Sequence, residues 1–151
     1  MGLLEELPMM TKILFSALLA TAALLPVTAT SAHAPGDAVK PNFSHAIPNI
    51  PGKSLIAVEV SYPPGGASQP HTHAKSAFIY AYVVSGAIES QVNDEPAHVY
   101  TAGQAFYEEP GAQHRISRNA SKTEPAKLLA VFIVDTDDKA LTTPQGPAGE
   151  H

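Results

Sequence analysis

The chain has 151 residues, 44% of them hydrophobic and 15% charged, with 14 prolines and no cysteine, a composition that fits one folded domain with unstructured ends. Nine Lys+Arg against fourteen Asp+Glu leave a formal charge of -5, which supplies no basic face for nucleic acid or for an anionic membrane. The lack of cysteine removes disulfides, thiolate zinc sites, iron–sulfur clusters and cysteine nucleophiles, so any metal is held by nitrogen or oxygen.

The first element in the chain is a leader. Ile13 to Leu25 is a 13-residue, largely apolar run preceded by Lys12 and closed by Pro26, shorter than the roughly 20 residues a membrane span requires. Ala32-His33-Ala34 then places small residues at the two positions a signal peptidase reads. Residues 1–34 are therefore expected to be an N-terminal extension and secretory signal cleaved after Ala34, giving a periplasmic or secreted product that leaves the membrane. Glu5 and Glu6 have the wrong sign for the segment before the apolar run, so translation is expected to begin at Met9 or Met10. No twin-arginine pair precedes the run, which implies export of an unfolded chain and metal loading outside the cytoplasm.

Residues 35–52 read as an N-terminal arm and residues 53–134 as an all-β domain. Ile56, Val58, Val60 and Tyr62 alternate with Leu55, Ala57, Glu59 and Ser61, the period of a strand with one face buried more deeply. Phe78 to Val84 and Leu128 to Val134 are apolar on both faces and rich in Val, Ile and aromatics, which predicts strands covered on both sides. Turns are predicted at Pro63-Pro64-Gly65-Gly66, Ser85-Gly86, Asn93-Asp94-Glu95-Pro96, Ala102-Gly103-Gln104 and Pro110-Gly111. Short strands at that spacing indicate a sandwich or barrel. Residues 135–151 lack apolar periodicity and read as a flexible tail.

Three histidines concentrate the chemistry. His71 and His73 flank Thr72, and in an extended segment both imidazoles lie on one face, about 6.5 to 7 Å apart at Cα. That spacing suits one ion, although a pair of surface histidines has the same pattern. His114 follows Pro110-Gly111 and precedes a short polar strand, where it can approach as a third ligand. His45, His98 and His151 fit no ligand pattern.

The order of these pieces resembles the two signature motifs of the cupin superfamily: Gly65, five residues, His71-x-His73, then Tyr82-Val83-Val84-x-Gly86, then Gly103, seven residues, Gly111, two residues, His114. The resemblance covers residues 53–134 and implies a single-domain jelly-roll β-barrel with His71, His73 and His114 as metal ligands. The metal is expected to be a divalent transition ion (Fe, Mn, Zn, Cu or Ni). Small barrels of this kind commonly pair, so a homodimer is expected, with the stretch Val39 to Tyr62 and its apolar Ile56, Val58 and Val60 face able to dock on a second subunit as well as to close its own barrel. The motifs also depart from the family pattern. Ile79 stands where the family usually has its glutamate ligand, Glu109 where it has a proline, and Arg118 where it has an asparagine, with Asn119 next to it.

Glu108 is the candidate for the missing oxygen ligand or for a general base, because in an extended strand it shares a face with Phe106, opposite Tyr107 and Glu109. A solvent-facing acid at a turn is the competing reading. Gln69 has the parity of His71 and His73 and can reach the ion, or bond backbone as a turn residue. Tyr80 and Tyr82 can present hydroxyls to a substrate or pack as core. Three functions follow: a metal-dependent, dioxygenase-like oxidoreductase acting on a small organic molecule, a non-catalytic module that binds a small ligand or the metal, or a barrel whose histidines are structural.

Overall fold

The computed structural model describes residues 36–146. The predicted leader and its cleavage position fall outside these residues, as do Pro35 and residues 147–151 of the predicted tail. The described residues form ten strands: β1 (Ala38–Ala46), β2 (Lys53–Tyr62), β3 (His71–His73), β4 (Phe78–Ser85), β5 (Ala87–Val92), β6 (His98–Thr101), β7 (Ala105–Glu108), β8 (Gln113–Asn119), β9 (Ala126–Asp135) and β10 (Thr142–Pro144). They pair into two five-stranded antiparallel sheets, β1-β2-β9-β4-β7 and β10-β3-β8-β5-β6. The inner faces of the two sheets enclose one core, and the architecture is the all-β jelly roll that the resemblance implied, where strand spacing alone indicated a sandwich or barrel.

Alternation along the strands decides what the core receives. β2 turns Val58, Val60 and Tyr62 inward and Glu59 and Ser61 outward. The Ile56, Val58 and Val60 face therefore closes its own barrel and is not free to dock a second subunit. β4 and β9 depart from the expectation that both of their faces are covered. Ile79, Ala81 and Val83 are completely buried while Phe78, Tyr80 and Val84 are exposed. Leu128, Ala130, Phe132 and Val134 are buried, with Leu129 and Val131 half-buried. No layer covers the outer face of this sheet within the described residues, so apolar runs that suggested two-sided burial lie against the core on one side only.

The two ends of the described chain also join the barrel. Part of the expected arm forms β1, which pairs with β2 from Ala38↔Ser61 to Ala46↔Ser54. Part of the expected tail forms β10, which pairs with β3 through Thr142↔His73 and Pro144↔His71. Neither stretch shows apolar alternation because each is an edge strand, and β1 is exposed along its whole length. Pro144 is tolerated at such an edge, where a missing amide costs little.

The predicted turns lie between strands as expected. At Gly86, between β4 and β5, φ is +70° and an added Cβ would come within 2.6 Å of the Pro125 carbonyl oxygen, so both the left-handed backbone and the close approach of another segment require glycine.

Candidate metal centre and its cavity

The pairing of β3 with β8 sets His71 directly opposite His114, and His73 follows two residues on along the same face. The ring centroids are 4.8 Å apart for His71 and His73, 5.2 Å for His71 and His114, and 5.9 Å for His73 and His114. One ring nitrogen from each of the three lies within 4.8 Å of the others. The sequence expected these three residues to meet, and the sheet brings them together.

The surroundings of His71 leave a lone pair for an ion. Its Nδ1 sits 2.8 Å from the Gln69 carbonyl oxygen, which can only accept, so the proton is on Nδ1 and Nε2 is bare. Burial lowers the His71 pKa, and the neighbouring His73 and His114 rings lower it further against the opposing pull of the Gln69 carbonyl. The ring is therefore neutral at pH 7, as a ligand must be. Gln69 thus serves His71 through its backbone carbonyl, from the segment between β2 and β3, and is an exposed residue of the cavity lining. On the other side of the site, His114 Nε2 is 2.9 Å from the Ser90 hydroxyl, and both groups are buried.

Glu108 supplies a carboxylate. It is 3% exposed, so the parity with Phe106 placed it correctly. Its Oε2 lies 2.8 Å from His73 Nε2 and its Oε1 lies 3.3 Å from His114 Nδ1. Burial alone would raise the pKa of this carboxyl, but the imidazoles of His114 and His73 outweigh it and hold the value at about 2. The Glu108 side chain is therefore ionised at neutral pH.

The origin of this carboxylate resolves the departure at Ile79. In the β4–β7 ladder Ile79 is the direct partner of Glu108. Ile79 is fully buried and carries no oxygen, while the acid on the adjacent strand enters the same space. The departure at Arg118 has its cause within β8. Val92 pairs with His114 but Gln91 pairs with Ile116, so β8 has one extra residue at Arg115, a β-bulge. The bulge moves the inward asparagine position from 118 to 119. Asn119 is buried and bonds the Pro63 and Glu124 carbonyls at 3.1 and 2.7 Å, whereas Arg118 faces outward and pairs with Glu89 at 2.7 Å.

The donor set fits a divalent ion. Both ring nitrogens of His73 and Oε2 of Glu108 are buried without a hydrogen-bond partner, although His73 Nε2 and that oxygen are in close contact. Bonds of about 2.1 Å would separate neighbouring donors of one ion by about 3.0 Å at a right angle, close to the 2.8 Å between His73 Nε2 and that oxygen. Three imidazoles and one carboxylate suit a first-row transition metal.

The histidines and Glu108 line a cavity of about 280 Å³ between the sheets. Its walls are apolar, including Val60, Leu128, Phe132 and Leu141. A second polar group lines it as well. The Tyr62 hydroxyl is 2.8 Å from the Ser117 hydroxyl and 2.9 Å from that of Ser68, which donates to the Asp37 carboxylate. Burial raises the Tyr62 pKa. The sequence had marked Tyr62 only as a core position and had not marked Ser68, Ser117 or Asp37; the bulge at Arg115 hid the inward turn of Ser117, which lies an odd number of residues from His114. Tyr80 and Tyr82 lie on the outer face of the first sheet, so they offer nothing to the cavity. His45 and His98 are exposed and stand apart from the three-histidine cluster.

Residues 58–132 match the family described as the cupin domain, and no curated protein matches the chain. Among solved structures, TT1209 from Thermus thermophilus is 25% identical, covering 66% of this chain and 84% of its own, with a TM-score of 0.53. A protein with a double-stranded β-helix domain from Klebsiella pneumoniae subsp. pneumoniae MGH 78578 is 19% identical over 62% of this chain and 76% of its own, with a TM-score of 0.51. A recombinant oxalate oxidase in complex with glycolate is 24% identical over 66% of this chain, which spans about half of the oxidase (51%), with a TM-score of 0.51. With the two-sheet topology and the matched segment together, the described part of this chain is a cupin jelly-roll β-barrel with three histidines gathered inside it.

Proposed function

We propose that the chain holds a divalent transition metal with His71, His73, His114 and Glu108 and uses it to bind a small organic molecule as the substrate of a dioxygenase-like oxidoreductase. The observation that carries this reading is the gathering of His71, His73 and His114, one ring nitrogen of each within 4.8 Å of the others, beside a buried Glu108 carboxylate in contact with His73 and His114. A bound metal supplies Lewis acidity and redox capacity next to the cavity. The chain's own residues do the rest: the Gln69 carbonyl and the Ser90 hydroxyl orient His71 and His114, and the apolar walls exclude water from the bound molecule.

The same close contact favours a second reading. A carboxylate engaged with two ligand imidazoles is not free to act as a general base, which suits a module that binds a small ligand without turning it over. Oxygen consumption by metal-reconstituted protein, measured against a panel of small organic acids and phenols, separates the two. Uptake above that of a His73→Ala variant supports the oxidoreductase, and ligand binding with no uptake for any compound supports the module.

The export and assembly expectations enter as proposals of the same reading. The apolar run and Ala32-His33-Ala34 support a cleaved leader and a periplasmic or secreted product; N-terminal sequencing beginning at Pro35 would bear this out, and retention of the leader would refute it. A homodimer is supported by the outer face of the first sheet, where Phe43, Phe78, Tyr80, Tyr107 and Ile133 are exposed together.

A further inference from the structure

The second polar group of the cavity has a fixed hydrogen-bond direction. The Asp37 carboxylate accepts only, so the Ser68 hydroxyl spends its single proton on it. Ser68 therefore accepts from Tyr62, and the Tyr62 proton is spent in turn. Tyr62 then accepts from Ser117. All three hydroxyl protons point along the chain Ser117, Tyr62, Ser68 toward Asp37, and what this group can still offer a guest is lone pairs backed by a negative charge. Tyr62 is 2% exposed and Ser117 5%, so water contributes little to correcting that polarity.

This group and the metal centre are fixed on a common strand. His114 and Ser117 both belong to β8, and because the bulge at Arg115 lies between them they stand opposite Val92 and Ser90, two residues apart on β5, which is about 7 Å at Cα. Apolar walls separate them. The cavity, at about 280 Å³, lies just under the usual range for drug-sized ligands.

Resting on the metal-centre reading above, we propose that the cavity takes a small, largely apolar acid that places an anionic oxygen group at the histidines and a hydrogen-bond donor, a hydroxyl or amino group, at Tyr62 and Ser117. A dicarboxylate of the same length is rejected, because its second anion would meet acceptors and the Asp37 charge after losing its water.

The test loads the protein with Co(II), follows uptake by its visible absorption, and then titrates three matched probes: 4-hydroxybenzoate, benzoate and terephthalate. The hydroxy acid should bind about threefold to tenfold tighter than benzoate, the worth of one net hydrogen bond, and terephthalate should bind weaker than benzoate. In Asp37→Asn the chain no longer ends on an obligate acceptor, so the hydroxy acid should lose its advantage and terephthalate should recover toward benzoate. Tyr62→Phe, which keeps the ring packing, should do the same by freeing the Ser117 proton. Co(II) uptake with equal affinity for the three acids, or with a preference unchanged by both substitutions, overturns this inference and leaves the metal centre standing. Failure to take up Co(II) overturns the metal centre, and the inference falls with it.

Discussion

Replacing Ile79 by Glu tests the claim that Glu108 already occupies the carboxylate position from the neighbouring strand. Ile79 and Glu108 are direct partners in the β4–β7 ladder, so the two Cβ atoms lie about 5 Å apart. Two carboxylates at that distance repel by about 3 kcal/mol at an effective dielectric of 20. The burial of Ile79 and the 3% exposure of Glu108 leave neither acid free to turn to solvent. Loss of the Ile79 packing adds to the cost, so metal-free Ile79→Glu should be at least about 3 kcal/mol less stable than the parent, a fall in Tm of roughly 10 °C or more. The assay is urea unfolding of the metal-free parent, Ile79→Glu, Glu108→Val and the double variant. Removing Glu108 should rescue much of the loss in the Ile79→Glu background, with a coupling of about 2 kcal/mol or more. An additive cycle would falsify the account, since it would mean that the two side chains do not share one space.

Three further outcomes follow. In the metal-free protein the Glu108 carboxyl is lowered from 4.5 to about 2, so its contribution is full above pH 4.5 and is lost as pH falls toward 2; acid unfolding of Glu108→Gln should lack that part of the parent's slope, and identical acid profiles would contradict it. Gly86→Ala should cost about 2 kcal/mol or more, because φ is +70° and the new Cβ meets the Pro125 carbonyl at 2.6 Å; a melt within a degree of the parent would refute the backbone argument. Light scattering at micromolar concentration should give a dimer, which Tyr107→Lys on the exposed sheet face shifts toward monomer; a monomeric parent would refute the assembly proposal.

The fold was legible where side-chain pattern and turn chemistry agree. The alternation from Ile56 to Tyr62 located β2 and its inward face, and the Gly and Pro clusters located the turns. The histidine spacing and the parity of Glu108 with Phe106 located the centre, because strand geometry converts spacing directly into a shared face. What pattern could not convey is pairing across strands. Glu108 reaches the space left by Ile79 only because β7 lies beside β4, and nothing in the segment around either residue encodes that neighbour. The bulge at Arg115 defeats parity counting along β8, which is why Ser117 was overlooked and why Asn119 rather than Arg118 faces inward. Edge strands were missed for a different reason: β1 and β10 are held mainly by backbone pairing to β2 and β3, and exposed side chains leave no apolar signature. Apolar runs misled in the opposite direction at β4 and β9, whose outer faces carry Phe78, Tyr80 and Ile133 without a covering layer among the described residues.

The central claim is that His71, His73 and His114, with Glu108, hold one metal ion. Metal stoichiometry, measured by elemental analysis after equilibration with Mn(II), Fe(II), Co(II) or Zn(II) and desalting, tests it most directly. The parent should retain about one ion per chain for at least one of these metals. Alanine at His71, His73 or His114 should each strip most of it, because two remaining imidazoles cannot enclose the ion. Glu108→Ala should weaken retention less than loss of a histidine, and alanine at the exposed His45 or His98 should leave it unchanged. A parent that retains no stoichiometric ion, or equal retention in all of these variants, would contradict the account.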